Sequence, residues 1–126
     1  MYSLSPAVHA GVIDFEDHGA GTIIDDEYAP FLSVRVENLS SGPDVGVIFD
    51  TLHPSGGDRD LGGPFNSLNP DLPDRYTAGN VLIIHESHTC DRLRCDDPDD
   101  EGSRPAGVFF LNFSSAVTLQ SIDFFD

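Results

Sequence analysis

Residues 45–65 read VGVIFDTLHPSGGDRDLGGPF: a short apolar run ending in Asp50, then a loop broken by Pro54, Gly56, Gly57 and Gly62–Pro64. The run is too short for a helix, is rich in β-branched and aromatic residues, and is bounded by turn formers. That combination predicts a buried strand. The loop carries Asp58 and Asp60 close to Asp50, and Arg59 is its one basic residue. Carboxylates gathered on a tight loop repel one another unless water or a cation lies between them. Two readings follow: a hydrated Asp-Gly turn, or a loop built to hold a cation.

Working outward, the same texture repeats. Strand-like segments fall at 11–16 (GVIDFE), 31–38 (FLSVRVEN), 45–50, 79–86 (GNVLIIHE), 106–113 (AGVFFLNF) and 116–125 (AVTLQSIDFF), and no stretch keeps a helical period. In LSVRVE, Leu32, Val34 and Val36 alternate with Ser33, Arg35 and Glu37, the pattern of a half-buried strand. VLII and VFFLNF are apolar on both faces, which predicts central positions. The long connections 51–78 and 87–105 are loaded with Asp, Gly and Pro. Connections of that length usually carry function. The expected fold is all-β, an antiparallel β-sandwich or jelly roll with long acidic loops. One domain over 11–126 is expected, preceded by a tail over 1–10 whose AVHA matches the small-residue pattern of an export-signal remnant.

Charge narrows the partners. The 126 residues hold 22 acids, of which 17 are Asp, against 6 Arg and no Lys, a net charge of −16. Asp is the short carboxylate of turns and calcium loops. Nucleic acid is excluded as a partner because phosphate binding depends on Lys and Arg. No apolar run is long enough to span a bilayer, so membrane insertion is not expected. Surface solvation is the competing reason for so much charge.

Calcium takes six to eight oxygens, at about 2.3–2.6 Å, from carboxylates, carbonyls and amides. Asp50, Asp58 and Asp60 offer the first set, Asp58 and Asp60 alternating so that both side chains face one way. The run CDDPDDEGSRP supplies Asp97, Asp99 and Asp100 as a second set, and Glu86 ends the LIIHE strand beside it. The EF-hand pattern is absent. Cys90 and Cys95 are the only cysteines, with His85 and His88 nearby. A local disulfide, a zinc site and free thiols all stay open, the disulfide fitting an exported acidic protein best. The five histidines, at 9, 18, 53, 85 and 88, fall in loops and strand ends, and most are expected at the surface. No hydrolase, metalloprotease or nucleotide-binding signature appears, so no enzymatic activity is expected.

IDFE, IFDTLHPSGGDRDLGGPF, GNVLIIHE, DDPDDEGSRPAGVFFLNF and AVTLQSIDFFD together resemble a calcium-binding β-sandwich domain of exported bacterial surface proteins, of the PEP-CTERM-associated type. The resemblance runs from about residue 11 to the end. It implies a sandwich architecture and places Asp50, Asp58, Asp60, Glu86, Asp99 and Asp100 on the family's acidic motif positions. The C-x4-C insertion is not a feature of that family, and such domains continue past SIDFFD into further strands. A sandwich ending there exposes a strand edge that invites pairing with another copy. The expected function is therefore a secreted or cell-surface calcium-binding module for adhesion or matrix assembly, self-associating through that edge. The alternative is a calcium-dependent, lectin-like module that binds glycans.

Overall fold

The computed structural model describes residues 11–66, 75–76, 78–100 and 104–124. The expected tail over 1–10, Glu101 and the last two residues lie outside them. The described residues are all-β: strands β1 (Leu32–Asn38), β2 (Gly46–Asp50), β3 (Phe65–Asn66), β4 (Arg75–Tyr76), β5 (Asn80–Ile84) and β6 (Gly107–Phe113), with a 3-10 turn at Arg59–Leu61. They form three antiparallel ladders, β1–β6, β2–β5 and β3–β4.

β1 follows its alternation, with Leu32, Val34 and Val36 buried and Ser33, Arg35 and Glu37 exposed. β2 is buried on both faces, as its uninterrupted apolar character predicts. Its two faces meet different neighbours. Ile48 packs with Ile24, Leu32 and Val34, against Leu82, Phe109 and Phe113, and so joins the β2–β5 ladder to the β1–β6 ladder. Val47 and Phe49 point the other way, to Ile23, Val81, Ile83, Leu61 and Cys95. Leu61 and Cys95 come from the two acidic connections, so among the described residues these connections contribute to the cover of that face. Gly46 is needed where the ladders meet: a methyl there would lie 3.1 Å from Phe109 Cε1 and 3.3 Å from both Leu82 Cδ1 and Val36 Cγ2.

Three expected strands differ. Residues 11–16 form no strand, because the chain turns there: Glu16 N–H bonds Asp14 Oδ1, and Phe15 takes φ +63°. Asn80 Nδ2 holds this turn by donating to the Phe15 and His18 carbonyls. The extra strand-like pairing falls instead at 21–24, where Gly21 N–H bonds the Ile48 carbonyl, Ile48 N–H bonds Thr22, and Ile24 N–H bonds Gly46. β6 forms as expected, but among the described residues it pairs with β1 alone and is not central. Phe109 and Phe113 pack inward, while Phe110 lies outside beneath the Arg35 guanidinium, 3.8 Å from its ring centre. Residues 116–124 form no strand and are exposed, Leu119 at 63% and Phe124 at 85%.

Phe49 has no solvent-accessible surface and touches residues from β5 and both loop covers. Phe49→Ala is expected to cost about 3–5 kcal/mol of stability in chemical denaturation. A loss below about 1 kcal/mol would mean that the loops do not pack on β2 as described.

Candidate metal centre

The loop after β2 begins with a turn that engages Asp50. Asp50 Oδ1 accepts from Leu52 N–H, and Oδ2 pairs with His53 Nδ1 at 2.8 Å. Burial alone would raise this carboxyl, but the bonds from His53 and Leu52 outweigh it and hold it below its ordinary value. The loop then runs against the second acidic run. Ser55 Oγ donates to the Pro98 carbonyl and Gly56 N–H to Asp97 Oδ1, both at 2.8 Å. Gly56 has φ +64°, and a methyl on it would sit 2.7 Å from Asp99 Cβ. Only glycine permits both that conformation and that approach.

This contact drives Asp58 inside. Asp58 has no accessible surface. Its Oδ2 accepts from Asp100 N–H at 2.8 Å, and no donor reaches Oδ1. Burial pushes the carboxyl up to about 7, helped by the charges of Asp100 and Asp99 and opposed by the Asp100 N–H bond. Asp99 also lies within side-chain hydrogen-bonding reach of Asp58. Two carboxyls can share such a bond only while one keeps its proton. Once both ionise, Oδ1 is a buried anionic atom without a donor, a situation proteins avoid unless a cation is present.

The far side of the acidic run is fastened by His85. Its Nδ1 accepts from Asp99 N–H at 3.3 Å, and its Nε2 lies 2.9 Å from Thr89 Oγ1. Thr89 Oγ1 gives its own hydrogen to the Asp96 carbonyl. The ring proton is therefore on Nε2, donated to Thr89, and the imidazole is neutral. Burial holds His85 below its usual value although Asp99 and Asp97 pull upward. Glu86 N–H bonds the Asp99 carbonyl, and Cys95 N–H bonds Gly21. Cys90 and Cys95 are joined by a disulfide.

Of the expected ligands, Asp58, Asp97, Asp99 and Asp100 gather where the two loops meet, and Glu86 abuts them through its backbone. Asp50 and Asp60 do not join that junction through any bond described here. Asp50 serves its own turn. Asp60 is exposed, because the 3-10 turn at Arg59–Leu61 replaces the extended backbone that would have aligned it with Asp58. The histidine expectation is corrected for His85, which is fully buried. Val81, Ile83 and His85 share one face, and carrying the strand's two-residue period past Ile84 would have found it. Among the described residues, ligand atoms lie within 4.8 Å of one another in two other places and not as such a set at the junction: Asp25, Asp26 and Glu27, exposed or half-buried on a turn, and His85 with the disulfide-bonded Cys90 and Cys95.

A carboxyl raised by folding is protonated in both states at low pH and ionised in both at high pH. Between these limits the folded state resists ionising, so Asp58 removes stability as pH rises from 3.8 towards about 7. In chelator, Asp58→Asn is expected to gain stability over wild type across that interval and then hold a constant advantage. Denaturant titrations of both proteins check this; parallel pH profiles would contradict it. No family model matches the chain, and no curated protein or solved structure matches it, so its functional reading rests on its own residues.

Proposed function

We propose that the protein is a calcium-binding β-sandwich module that works outside the cell as a structural or adhesive element. The observation that carries this is Asp58: fully buried, with Oδ1 lacking a donor, at the junction of two acidic loops. A divalent cation there converts a buried like-charge contact into a set of ionic bonds. The ligands would come from Asp58, Asp97, Asp99 and Asp100, with loop carbonyls and water completing the shell. Such an all-oxygen set suits a hard cation, and loop-borne carboxylates suit the flexible geometry of calcium more than the strict octahedron of magnesium. The disulfide fits an oxidising compartment, where calcium modules operate at 10⁻⁴–10⁻³ M.

Assembly belongs to the same reading. Among the described residues β6 pairs with β1 alone, and Val117, Leu119, Ile122 and Phe124 are exposed beyond it. Copies meeting along that edge repel through −16 charges each, so association is expected only with calcium. Light scattering across calcium concentrations checks it, and a constant monomer mass would remove assembly from the function.

Calcium at 100 times its Kd is expected to stabilise the fold by about 2.7 kcal/mol. Asp58→Asn should abolish that gain while remaining more stable than wild type in chelator. This opposite response separates a lost ligand from general damage. Superimposed wild-type melting curves with saturating calcium and with chelator would overturn the calcium reading.

A further inference from the structure

The outer edge of β1 is covered everywhere but at one amide. Ser114 N–H bonds the Phe31 carbonyl and Leu39 N–H the Ala106 carbonyl, so the odd-numbered residues of β1 are the ones hydrogen-bonded to β6. The amides of Leu32, Val34, Val36 and Asn38 therefore point to the opposite edge. Three of them are met there: Leu32 N–H by the Tyr28 carbonyl, Val34 N–H by the Asp25 carbonyl and Asn38 N–H by Asp44 Oδ1. Among the described residues no acceptor meets Val36 N–H, although Val36 is only 3% exposed. The buried Gly46 is in the same position: His85 N–H bonds the Val45 carbonyl, which turns the Gly46 amide away from β5 without an acceptor among the described residues. Buried amides without acceptors are rare, and they mark places where water or a ligand supplies one.

Val36 and Gly46 line one cleft of about 150 Å³. Ile24, Val34 and Val45 give it apolar walls, and the exposed Asp25 and Asp44 complete the lining. We propose that this cleft binds a short N-acyl group, the acetamido group of an N-acetylated amino sugar, with its carbonyl oxygen on Val36 N–H.

Each part of that group answers a feature of the cleft. The acyl oxygen supplies the acceptor that Val36 lacks, and the methyl lies on the apolar wall. An apolar cavity of about 150 Å³ admits a benzene ring, so an acetamido group fits with room for part of the sugar. The carboxylates of Asp25 and Asp44 accept from sugar hydroxyls and repel anionic ligands. Arg35 does not offset them, because its guanidinium lies over Phe110 on the outer face of the β1–β6 ladder. An added peptide strand would need the neighbouring amides of β1 as well, and Tyr28, Asp25 and Asp44 already hold those. One acceptor group fits where a strand does not. This site shares no residue with the Asp58 junction and goes beyond the calcium reading.

The test uses the ¹⁵N-labelled whole chain with saturating calcium in every sample. Titration with N-acetylglucosamine is expected to give saturating shift changes centred on the Val36 and Gly46 amides. Deuterium exchange at Val36, fast beside its ladder-bonded neighbours Arg35 and Glu37, should slow at saturation. Glucose, which lacks the acyl group, should bind at least about tenfold more weakly. An unmoved Val36 amide would mean that the cleft holds only water and would overturn the site. An equal response to glucose would overturn the acyl assignment. N-acetyllysine amide binding as tightly as the sugar would give the cleft to an acylated peptide and overturn the sugar assignment. A separate calcium titration without sugar reads the junction through the Asp99 and Asp100 amides, so failure at either place is told apart from failure at the other.

Discussion

The structure depends on covering both faces of β2. Val47, Ile48 and Phe49 have no solvent-accessible surface, and their side chains point alternately to opposite sides. Burying a side chain of this size stabilises by about 1.5–3 kcal/mol, so exposing either face would remove much of what holds a small domain together. One face finds a sheet partner in β1 and β6. On the other face, Leu61 and Cys95 reach over from the two long connections. Loops that serve as a core layer cannot wander. The acidic character of these loops is therefore held in place by an apolar requirement beneath them.

Like charges come together as a consequence. With Leu61 pinned on Phe49 and Cys95 on Val47 and Ile23, the intervening residues of the two loops must meet edge to edge. Their backbones meet well: Ser55, Gly56, Pro98 and the amides of Asp99 and Asp100 all find partners. The conflict lies at the Asp58 carboxylate, whose Oδ2 takes the Asp100 N–H while its Oδ1 has no donor. Good backbone pairing brings it inside, and its charge then has nowhere to go at neutral pH without a proton or a cation. Local rules are broken at one buried carboxylate while the surrounding bonds agree with the fold, a pattern expected of functional sites. In the Asp25–Asp26–Glu27 turn the half-buried Glu27 is also raised, by burial first and by the Asp25 charge, but it accepts from Asp25 N–H and none of these carboxyls is fully buried.

How much of this was legible in the sequence followed from what each residue's neighbours were. β1, β2, β5 and β6 could be read because alternation or unbroken apolar character within a few residues fixes a strand without distant information. Residues 11–16 and 116–124 carry equally strand-like letters, yet the first is bent by Asp14 and tied down by Asn80, a residue 64 positions from Glu16. β6 reads as central because Val108, Phe110 and Leu111 are apolar, but how many strands flank it is a property of the whole chain. In the first loop, the double glycine correctly signalled a special backbone, since Gly56 and Gly57 both take positive φ. The alternation that paired Asp58 with Asp60 assumed an extended chain, and the 3-10 turn removed that assumption. That Asp58, Asp99 and Asp100 would meet was not visible, because the distance between them is set by Leu61 and Cys95 on β2.

The order in which these parts are fixed shapes how a cation would act. His85 continues the buried face of β5, and from that rigid position it orients Asp99 on one nitrogen and Thr89 on the other. Thr89 holds Asp96 through both its hydroxyl and its carbonyl. The second acidic run is thus set from the sheet side, through neutral hydrogen bonds that need no metal. The first loop is set separately, by its turn at Asp50 and by Leu61. A cation at Asp58 therefore closes a junction whose two halves are already shaped, and little ordering entropy opposes its binding. What it changes is the sign of the interaction across the junction, from repulsion between carboxylates to attraction through a shared ion. The loops lie directly on β2, so under the proposed calcium reading that change would be transmitted to the core, and occupancy of the junction would add to the stability of the domain.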